Sequence, residues 1–197
     1  DIIADANDPL FTFNVNTPIN NKDAKIWGFE VAGEYFLGNT GFGVNISGGD
    51  LTVIGGTTQV ERNVLSGNNG GGVRIGTAAA ANNKIVGNFI GTDAGGTFPL
   101  GNGVSGGGGI APGVLIEDAP NNFVGGLASG ELNFISNNNQ NAGVAVTGNA
   151  ATGNRILGNS INLNAGLGID LGNNGVTAND PLDIDFGPNN TQNCPLL

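Results

Sequence analysis

The amino-acid sequence predicts an all-β fold, a right-handed parallel β-helix in which each rung of the coil contributes three short strands. Three observations support this prediction: an internal repeat, short runs of alternating apolar residues, and turns rich in Gly and Asn. The chain of 197 residues contains 37 Gly and 32 Asn, roughly a third of its length. Apolar residues amount to 39% and charged residues to only 11%, whereas disordered chains are usually charge-rich.

A long repeat relates two parts of the chain. The matching segments share Gly-Gly pairs and Asn-aliphatic runs that end in Gly-Asn or Asn-Asn. They are residues 54–56 with 124–126, 63–68 with 133–138, and 83–88 with 154–159. A match sustained over so many positions indicates a duplication with a period of about 70 residues, and such long-range self-similarity is typical of repeat architectures.

A shorter period lies within the long one. The pattern Asn-x-aliphatic-x-Gly/Asn-Asn starts at Asn63 and recurs at Asn83, and it starts again at Asn133 and recurs at Asn154. A period of about 20–25 residues built from short strands and polar turns is typical of one rung of a solenoid. We therefore expect rungs of this length, with about three rungs in each long repeat.

The strand and corner positions follow from residue type. Apolar residues alternate with polar or small ones at 73–75 and 144–146, which predicts strands. Gly and Asn tolerate left-handed backbone conformations, so they suit the corners between strands. We expect Asn side chains at one corner of successive rungs to stack as a hydrogen-bonded ladder. Aliphatic side chains should stack inside, and Phe134, which aligns with Val64, should also point inward.

The sequence divides into a β-helix over residues 1–171 and an acidic tail over 172–197 that is predicted to cap it. A Gly-rich stretch at about 95–112 is predicted to protrude, either as a binding loop or as a tolerated insertion. Near the N-terminus, residues 10–15 and 26–29 are predicted to form early strands. Further rungs or another subunit would then stack at this end, because a terminal rung exposes core and unpaired backbone.

A family resemblance rests on four runs, at residues 53–58, 63–68, 88–93 and 168–172. These runs resemble the pectate-lyase-like right-handed β-helix repeats of large bacterial surface proteins. The resemblance covers roughly residues 26–197 and implies three parallel sheets, secretion and a longer parent chain. The broad group includes carbohydrate lyases, glycosidases and adhesin-like proteins, so the resemblance does not by itself define an activity.

Composition excludes several classes of function. A net charge of −10 repels phosphate backbones, so nucleic acid is not expected as a partner. The chain has no His, which excludes Ser-His-Asp and Cys-His sites and His-ligated metals. No run reaches the roughly 18–20 apolar residues of a membrane span, so membrane insertion is not expected. Cys194 is the single cysteine, and the start at Asp1 without a signal peptide is expected of a processed or excised chain.

A catalytic site in this fold would need converging carboxylates, because a glycosidase uses two or three of them across the sugar bond. The sequence has no Asp-Asp pair, and its one adjacent acid pair, Glu117-Asp118, is expected to be a solvated turn. Lys84 and Arg155 occupy the same place in the repeat, so they are expected to decorate the rung surface. No residue is therefore predicted to be catalytic.

The acidic tail contains the spacing Asp183-x-Asp185-x-Gly187. This spacing predicts a calcium loop, because alternate carboxylates converge on one ion while Gly allows the bend. Asp180 and Asn189 would complete the oxygen set of the predicted Ca²⁺ site. A third acid at the position of Gly187 is absent, and the alternative interpretation is an acidic turn that ends the solenoid.

These observations favour a structural or adhesive β-helix segment, secreted or exposed at the cell surface, without catalytic activity. It would belong to a longer surface protein or stack end to end with other copies or further rungs as a filament. The alternatives are a polysaccharide-binding module and, less favoured, a polysaccharide lyase or glycoside hydrolase. A surface lined by aromatic side chains would favour sugar binding, but several of the 10 Phe are expected to be buried.

Overall fold

The computed structural model describes residues 2–5, 8–14, 43–46, 51–103, 111–139, 141–184 and 186–194. None of these residues forms a helix long and apolar enough to span a membrane. The strands are β1 (Ile2–Asp5), β2 (Asp8–Asn14), β3 (Val44–Ile46), β4 (Val53–Gly55), β5 (Val64–Leu65), β6 (Val73–Gly76), β7 (Lys84–Val86), β8 (Phe89–Ile90), β9 (Val114–Glu117), β10 (Phe123–Gly125), β11 (Phe134–Ser136), β12 (Val144–Thr147), β13 (Arg155–Leu157), β14 (Ser160–Asn162) and β15 (Ile169–Leu171). Two short 3-10 helices span Gln59–Glu61 and Pro188–Thr191.

From β3 onward the strands form three parallel sheets. Sheet 1 contains β3, β6, β9, β12 and β15, sheet 2 contains β4, β7, β10 and β13, and sheet 3 contains β5, β8, β11 and β14. Every third strand along the chain returns to the same sheet, so each rung has one strand in each sheet. Parallel strands joined by such connections coil with a right hand. The predicted right-handed parallel β-helix is confirmed.

The rungs are longer than predicted. The length of a rung is the sequence separation between in-register partners on neighbouring strands of one sheet. Between β5 and β8, Val64 pairs with Phe89, which is at the upper limit of the predicted length. Between β10 and β13, Phe123 pairs with Arg155, which is well above that limit, although neither pair spans the Gly-rich stretch. The prediction counted from Asn63 to Asn83, but these residues precede strands of different sheets. The long repeat of about 70 residues therefore covers two rungs and not three.

Two rungs form the repeating unit because the connection from sheet 2 to sheet 3 alternates in length. A two-residue Gly-Asn turn joins β7 to β8 and β13 to β14, whereas residues 56–63 and 126–133 form longer loops after β4 and β10. In these loops Glu61 and Glu131 each accept a backbone N–H three residues earlier at 3.0 Å. The two long loops meet above the short turn between them, where Gly130 leaves no room for a Cβ against the long loop of the first rung.

Aliphatic side chains stacked along the axis form the core. Each inward residue covers its equivalent in the neighbouring rung, and burial of one such side chain contributes about 1.5–3 kcal/mol. The most deeply buried members are Leu65, Val73, Ile75, Ile85, Ile90, Val114, Ile116, Val124, Ile135, Val144 and Val146.

Three stacks of Asn side chains occupy the corners between the sheets, as predicted. Ladder A precedes the strands of sheet 2, ladder B precedes those of sheet 3, and ladder C follows sheet 3. The members are Asn83, Asn122, Asn154 and Asn189 in ladder A, Asn63, Asn88, Asn133 and Asn159 in ladder B, and Asn68, Asn102, Asn138 and Asn164 in ladder C.

Asn133 shows how a ladder residue is satisfied. Its Oδ1 accepts the backbone N–H of Asn88 at 2.9 Å, and its Nδ2 donates to the carbonyl of Ile85 at 2.7 Å and to Oδ1 of Asn159 at 2.9 Å. The side chain is 0% exposed, so these bonds replace the water that a buried amide would lose. They tie the same corner of three rungs together.

The Gly-rich stretch at 95–112 is divided in the structure. Residues 91–100 form a hairpin closed by an antiparallel bridge. The chain then returns to the stack at Asn102, which is 0% exposed and belongs to ladder C. Residues 104–110 lie outside the described ranges, so the nature of that part of the stretch stays a prediction.

Close to the N-terminus, β1 and β2 form an antiparallel pair of their own. The strand predicted at 10–15 is confirmed for the part that lies in β2, although it pairs with β1 and not with a rung. The strand predicted at 26–29 lies outside the described residues.

Replacing Asn133 by Ala should destabilise the protein, because the buried N–H of Asn88 would lose its side-chain acceptor and the bonds to the carbonyl of Ile85 and to Oδ1 of Asn159 would also be lost. We expect the free energy of unfolding to fall by about 3 kcal/mol. Asn149→Ala, at an exposed turn, is the matched control and should cost less than about 0.5 kcal/mol. Urea unfolding followed by circular dichroism measures both, and equal losses would contradict a stabilising role of the ladder.

Candidate functional site

Phe side chains line the outer face of sheet 3. In register, Val64, Phe89, Phe134 and Ser160 occupy neighbouring positions of β5, β8, β11 and β14. Ile135, which follows in β11, is 0% exposed, so the alternation of the strand turns the preceding side chains outward. The prediction that Phe134 points inward is wrong. Its alignment with Val64 is correct, but that position faces outward in every rung.

The outer face of sheet 2 carries a second row. Phe123 of β10 pairs in register with Lys84 of β7 and Arg155 of β13. Nζ of Lys84 lies 5.8 Å and the guanidinium carbon of Arg155 lies 5.4 Å from the centroid of the Phe123 ring, close enough for cation–π attraction. The prediction that the two cations occupy equivalent surface positions is confirmed.

Arg62 lies at the corner between the two rows. Its guanidinium carbon is 4.1 Å from the centroid of the Phe89 ring, and its Nε donates to the carbonyl of Gly87 at 3.2 Å. The Phe89 ring meets that of Phe134 edge to face, with centroids 6.0 Å apart. We name these residues the aromatic–cation surface. Its members form two groups of contacting residues on adjoining sheets: Arg62, Phe89 and Phe134 at sheet 3, and Lys84, Phe123 and Arg155 at sheet 2.

Two turns flank the ring of Phe89. The long loop 56–63 supplies Arg62 on one side, and the hairpin 91–100 approaches on the other, where a Cβ on Gly96 would lie 3.0 Å from the ring. Gly96 also has a φ of 68°, a conformation that favours glycine. The position of Phe89 therefore depends on the backbone of both turns.

The cations of the aromatic–cation surface make no ion pair with any described residue. Acids nearby in sequence are bonded to their own turns. The Glu61 carboxylate accepts the hydroxyl and the N–H of Thr58, and these bonds hold the pKa of Glu61 below its ordinary value of 4.5. The backbone N–H of Phe98 likewise lowers the pKa of Asp93. Both carboxylates stay ionised, and neither forms an ion pair with a described cation.

The fourth described cation, Arg74, lies on sheet 1 and forms an ion pair with Glu117. Asp118, the other member of the predicted acid pair, has a φ of 49° and accepts the N–H of Ala150 at 3.3 Å. Asp118 lies at an exposed bend, as predicted, whereas Glu117 is the last residue of β9 and is not part of a solvated turn.

In the tail, the structure brings together two of the four predicted calcium ligands through Asn193. The backbone N–H of Asn193 donates to Oδ1 of Asp183 at 2.8 Å, and its side-chain Oδ1 accepts the N–H of Asp180 at 2.9 Å. Asn189 belongs instead to ladder A, and Asp185 lies outside the described residues. Nothing in the spacing singled out Asn193. Among the described residues, no three His, Cys, Asp or Glu side chains form a metal-binding group.

Calcium binding by the tail stays a prediction, and Asp180 offers the means to test it. Its Oδ1 is buried without a hydrogen-bond partner among the described residues, which is costly for a carboxylate and suits an ion that prefers oxygen ligands. Calcium at about 5 mM should raise the melting temperature by about 3 °C or more, and Asp180→Asn should remove the rise. Asp93→Asn is the control and should keep it. An unchanged melting temperature of the native chain would contradict the prediction.

An open cavity of roughly 800 Å³ lies between the last rung and the tail. Ile156 and Ile169 contribute to its largely aliphatic lining. Asp170, the acid of this lining, is 7% exposed, and its two carboxylate oxygens accept the N–H groups of Asn174 and Gly175 at 3.2 and 3.0 Å. The carboxylate therefore fixes the start of the tail and is not part of a converging set.

The chain matches no protein-family model, no curated protein and no solved structure. Its fold defines it as a parallel β-helix protein, and the geometry of the outer faces is the basis for a function. The resemblance to repeats of bacterial surface proteins stays a proposal about origin.

Proposed function

We propose that the chain is a non-catalytic adhesive module of an extracellular β-helix protein and that it holds polysaccharide on the aromatic–cation surface. One observation carries the proposal. Three partly exposed Phe rings lie on adjacent outer faces together with three cations that make no ion pair with the described residues.

The chemistry of the aromatic–cation surface suits sugars. A sugar ring has C–H groups on its faces and hydroxyl groups at its edges. Phe side chains offer apolar area to the faces, and guanidinium and ammonium groups donate hydrogen bonds to the hydroxyls. The register places the small Ser160 next to Phe134, so this side of the Phe134 ring has no large neighbour in its row.

The stack of rungs gives the aromatic–cation surface its shape before a ligand binds. The strands that carry Phe123 and Phe134 are paired on both sides, and ladders A and B fix the corners in front of them. Such preorganisation reduces the entropy lost on binding. Neighbouring rungs are about 4.8 Å apart, so outward-facing side chains at equivalent positions form rows along the axis of the β-helix. Such rows suit a linear polymer that lies parallel to this axis.

An adhesive role, as opposed to a catalytic one, is supported by the state of the acids. The chain has no His, and the acids nearest in sequence to the surface, Glu61 and Asp93, accept hydrogen bonds from their own turns. The extracellular location is supported by the resemblance to repeats of surface proteins.

Substituting Phe134 should weaken polysaccharide binding without unfolding the protein. We expect Phe134→Ala to reduce affinity about tenfold, since one stacking contact is of the order of 1.4 kcal/mol. Phe186→Ala, at a side chain that is 99% exposed in the tail, is the matched control and should bind normally. Isothermal titration with soluble acidic and neutral polysaccharides provides the measurement. Equal affinities of the two variants would rule out this surface as the binding site.

A second candidate role, end-to-end stacking, is favoured by the C-terminal end of the stack. The tail covers this end only in part, at ladder A through Asn189 and beside the open cavity that Ile169 lines. At the other corners, the backbone N–H groups of Asn159 and Asn164 have no acceptor among the described residues. Ile169 is 43% exposed, whereas Val144 at the same position one rung earlier is 0% exposed. A rung of another copy or of the parent chain would cover this surface.

Stacking of copies predicts association that rises with concentration. Ile169→Lys should abolish it, because the charge would become buried between rungs. Leu127→Lys changes a side chain that is 84% exposed on a loop and should leave association intact. Sedimentation velocity at several concentrations measures both. A chain that stays monomeric at every concentration would exclude stacking between copies.

A further inference from the structure

Resting on the proposed function, we infer that the polysaccharide is anionic and that Arg62, Lys84 and Arg155 select it through its carboxylate or sulfate groups. The rings provide contact area that any sugar could use. The cations add a preference that a neutral polymer cannot satisfy, because only an anion neutralises them.

The first reason is that most N–H donors of these cations make no hydrogen bond to a described residue. Arg62 uses its Nε on the carbonyl of Gly87, while its terminal nitrogens make no hydrogen bond to a described residue. Lys84 and Arg155 are exposed, and in the described part of the chain they contact the Phe123 ring but no acceptor. A guanidinium held over a ring keeps its N–H edge free, and that edge matches the geometry of a carboxylate or sulfate.

The second reason is the charge of the whole chain. The chain has a net charge of −10, so acids are more abundant than bases. Arg74 forms an ion pair with one of these acids, Glu117. The cations of the aromatic–cation surface form no ion pair with a described residue, although Glu61 directly precedes Arg62. Glu61 and Glu131 instead accept backbone N–H groups of their loops. The fold therefore leaves three cations without an ion pair to a described residue on an otherwise acidic chain, and these cations are available to attract an anionic ligand.

The third reason is the arrangement of the cations along the axis. Lys84 and Arg155 flank Phe123 on the neighbouring strands, so they lie two strands apart, roughly 10 Å. Arg62 adds a third cation at the corner with sheet 3. A single exposed contact between opposite charges is weak, but several contacts on one polymer act together. The arrangement therefore favours a polymer with repeated anions over a single acidic sugar.

The test compares two forms of one polymer, polygalacturonate and its fully methyl-esterified form, which share a backbone and differ in charge. Titration at low salt should show at least tenfold tighter binding of the acid form, and a tenfold increase in salt should remove most of that difference. Arg155→Gln should weaken binding of the acid form several-fold and leave the ester unaffected. Arg74→Gln removes the same charge from an existing ion pair and should change neither.

The outcomes separate the inference from the proposed function. Equal binding of the two forms, lost in Phe134→Ala, would overturn the inference and leave the proposed function standing. Binding of neither form would overturn both. Equal losses in Arg155→Gln and Arg74→Gln would mean that overall charge, and not this surface, selects the ligand, which also overturns the inference. Melting curves of all variants confirm that they are folded, as expected for exposed or partly exposed side chains.

Discussion

The stacking of buried amides at the corners is the interaction on which the rest of the structure depends. The parallel strands have only two to four residues and few backbone bonds of their own, and the chain must turn a corner three times in each rung. An Asn at a corner satisfies the turn in its own rung and also bonds the rung before and the rung after it. Its removal would therefore leave several buried groups unpaired at once. This explains why the chain uses so many Asn residues and why the ladder positions of the inner rungs are buried although the residue is polar.

The alternation of long and short connections determines where the aromatic–cation surface lies. A Gly-Asn turn has no side chain that could reach across the corner, so Arg62 must come from a long loop in order to lie over Phe89. The same long loops carry Glu61 and Glu131, whose carboxylates accept backbone N–H groups and form no ion pair with a described cation. The hairpin that follows β8 packs against the other side of the Phe89 ring. The surface thus combines strands that fix position with turns that supply charge.

Residue patterns predict the fold well because alternation, β-branched residues and Gly-Asn turns are local signals. The rung length is not local: the same Asn-aliphatic motif marks ladder A and ladder B, so the distance from Asn63 to Asn83 joins two different corners. Alternation also shows that Phe134 and Ile135 face opposite ways but not which of them faces inward. The contact of Lys84 with Phe123 joins positions far apart in the sequence and exists only through the register. The role of Asn193 likewise depends on the fold of the tail.

The pairing of rungs limits how such a protein can change its length in evolution. The two long loops meet above one short turn, and Gly130 is needed where they touch. Loss of a rung with a short turn would place two long loops on neighbouring rungs, where they would collide. Loss of a rung with a long loop would place two short turns on neighbouring rungs and leave a gap. Gain or loss of whole two-rung units avoids both, since every loop then keeps its neighbour. Relatives of different length are therefore expected to differ by even numbers of rungs, and the aromatic–cation surface would lengthen in equal steps.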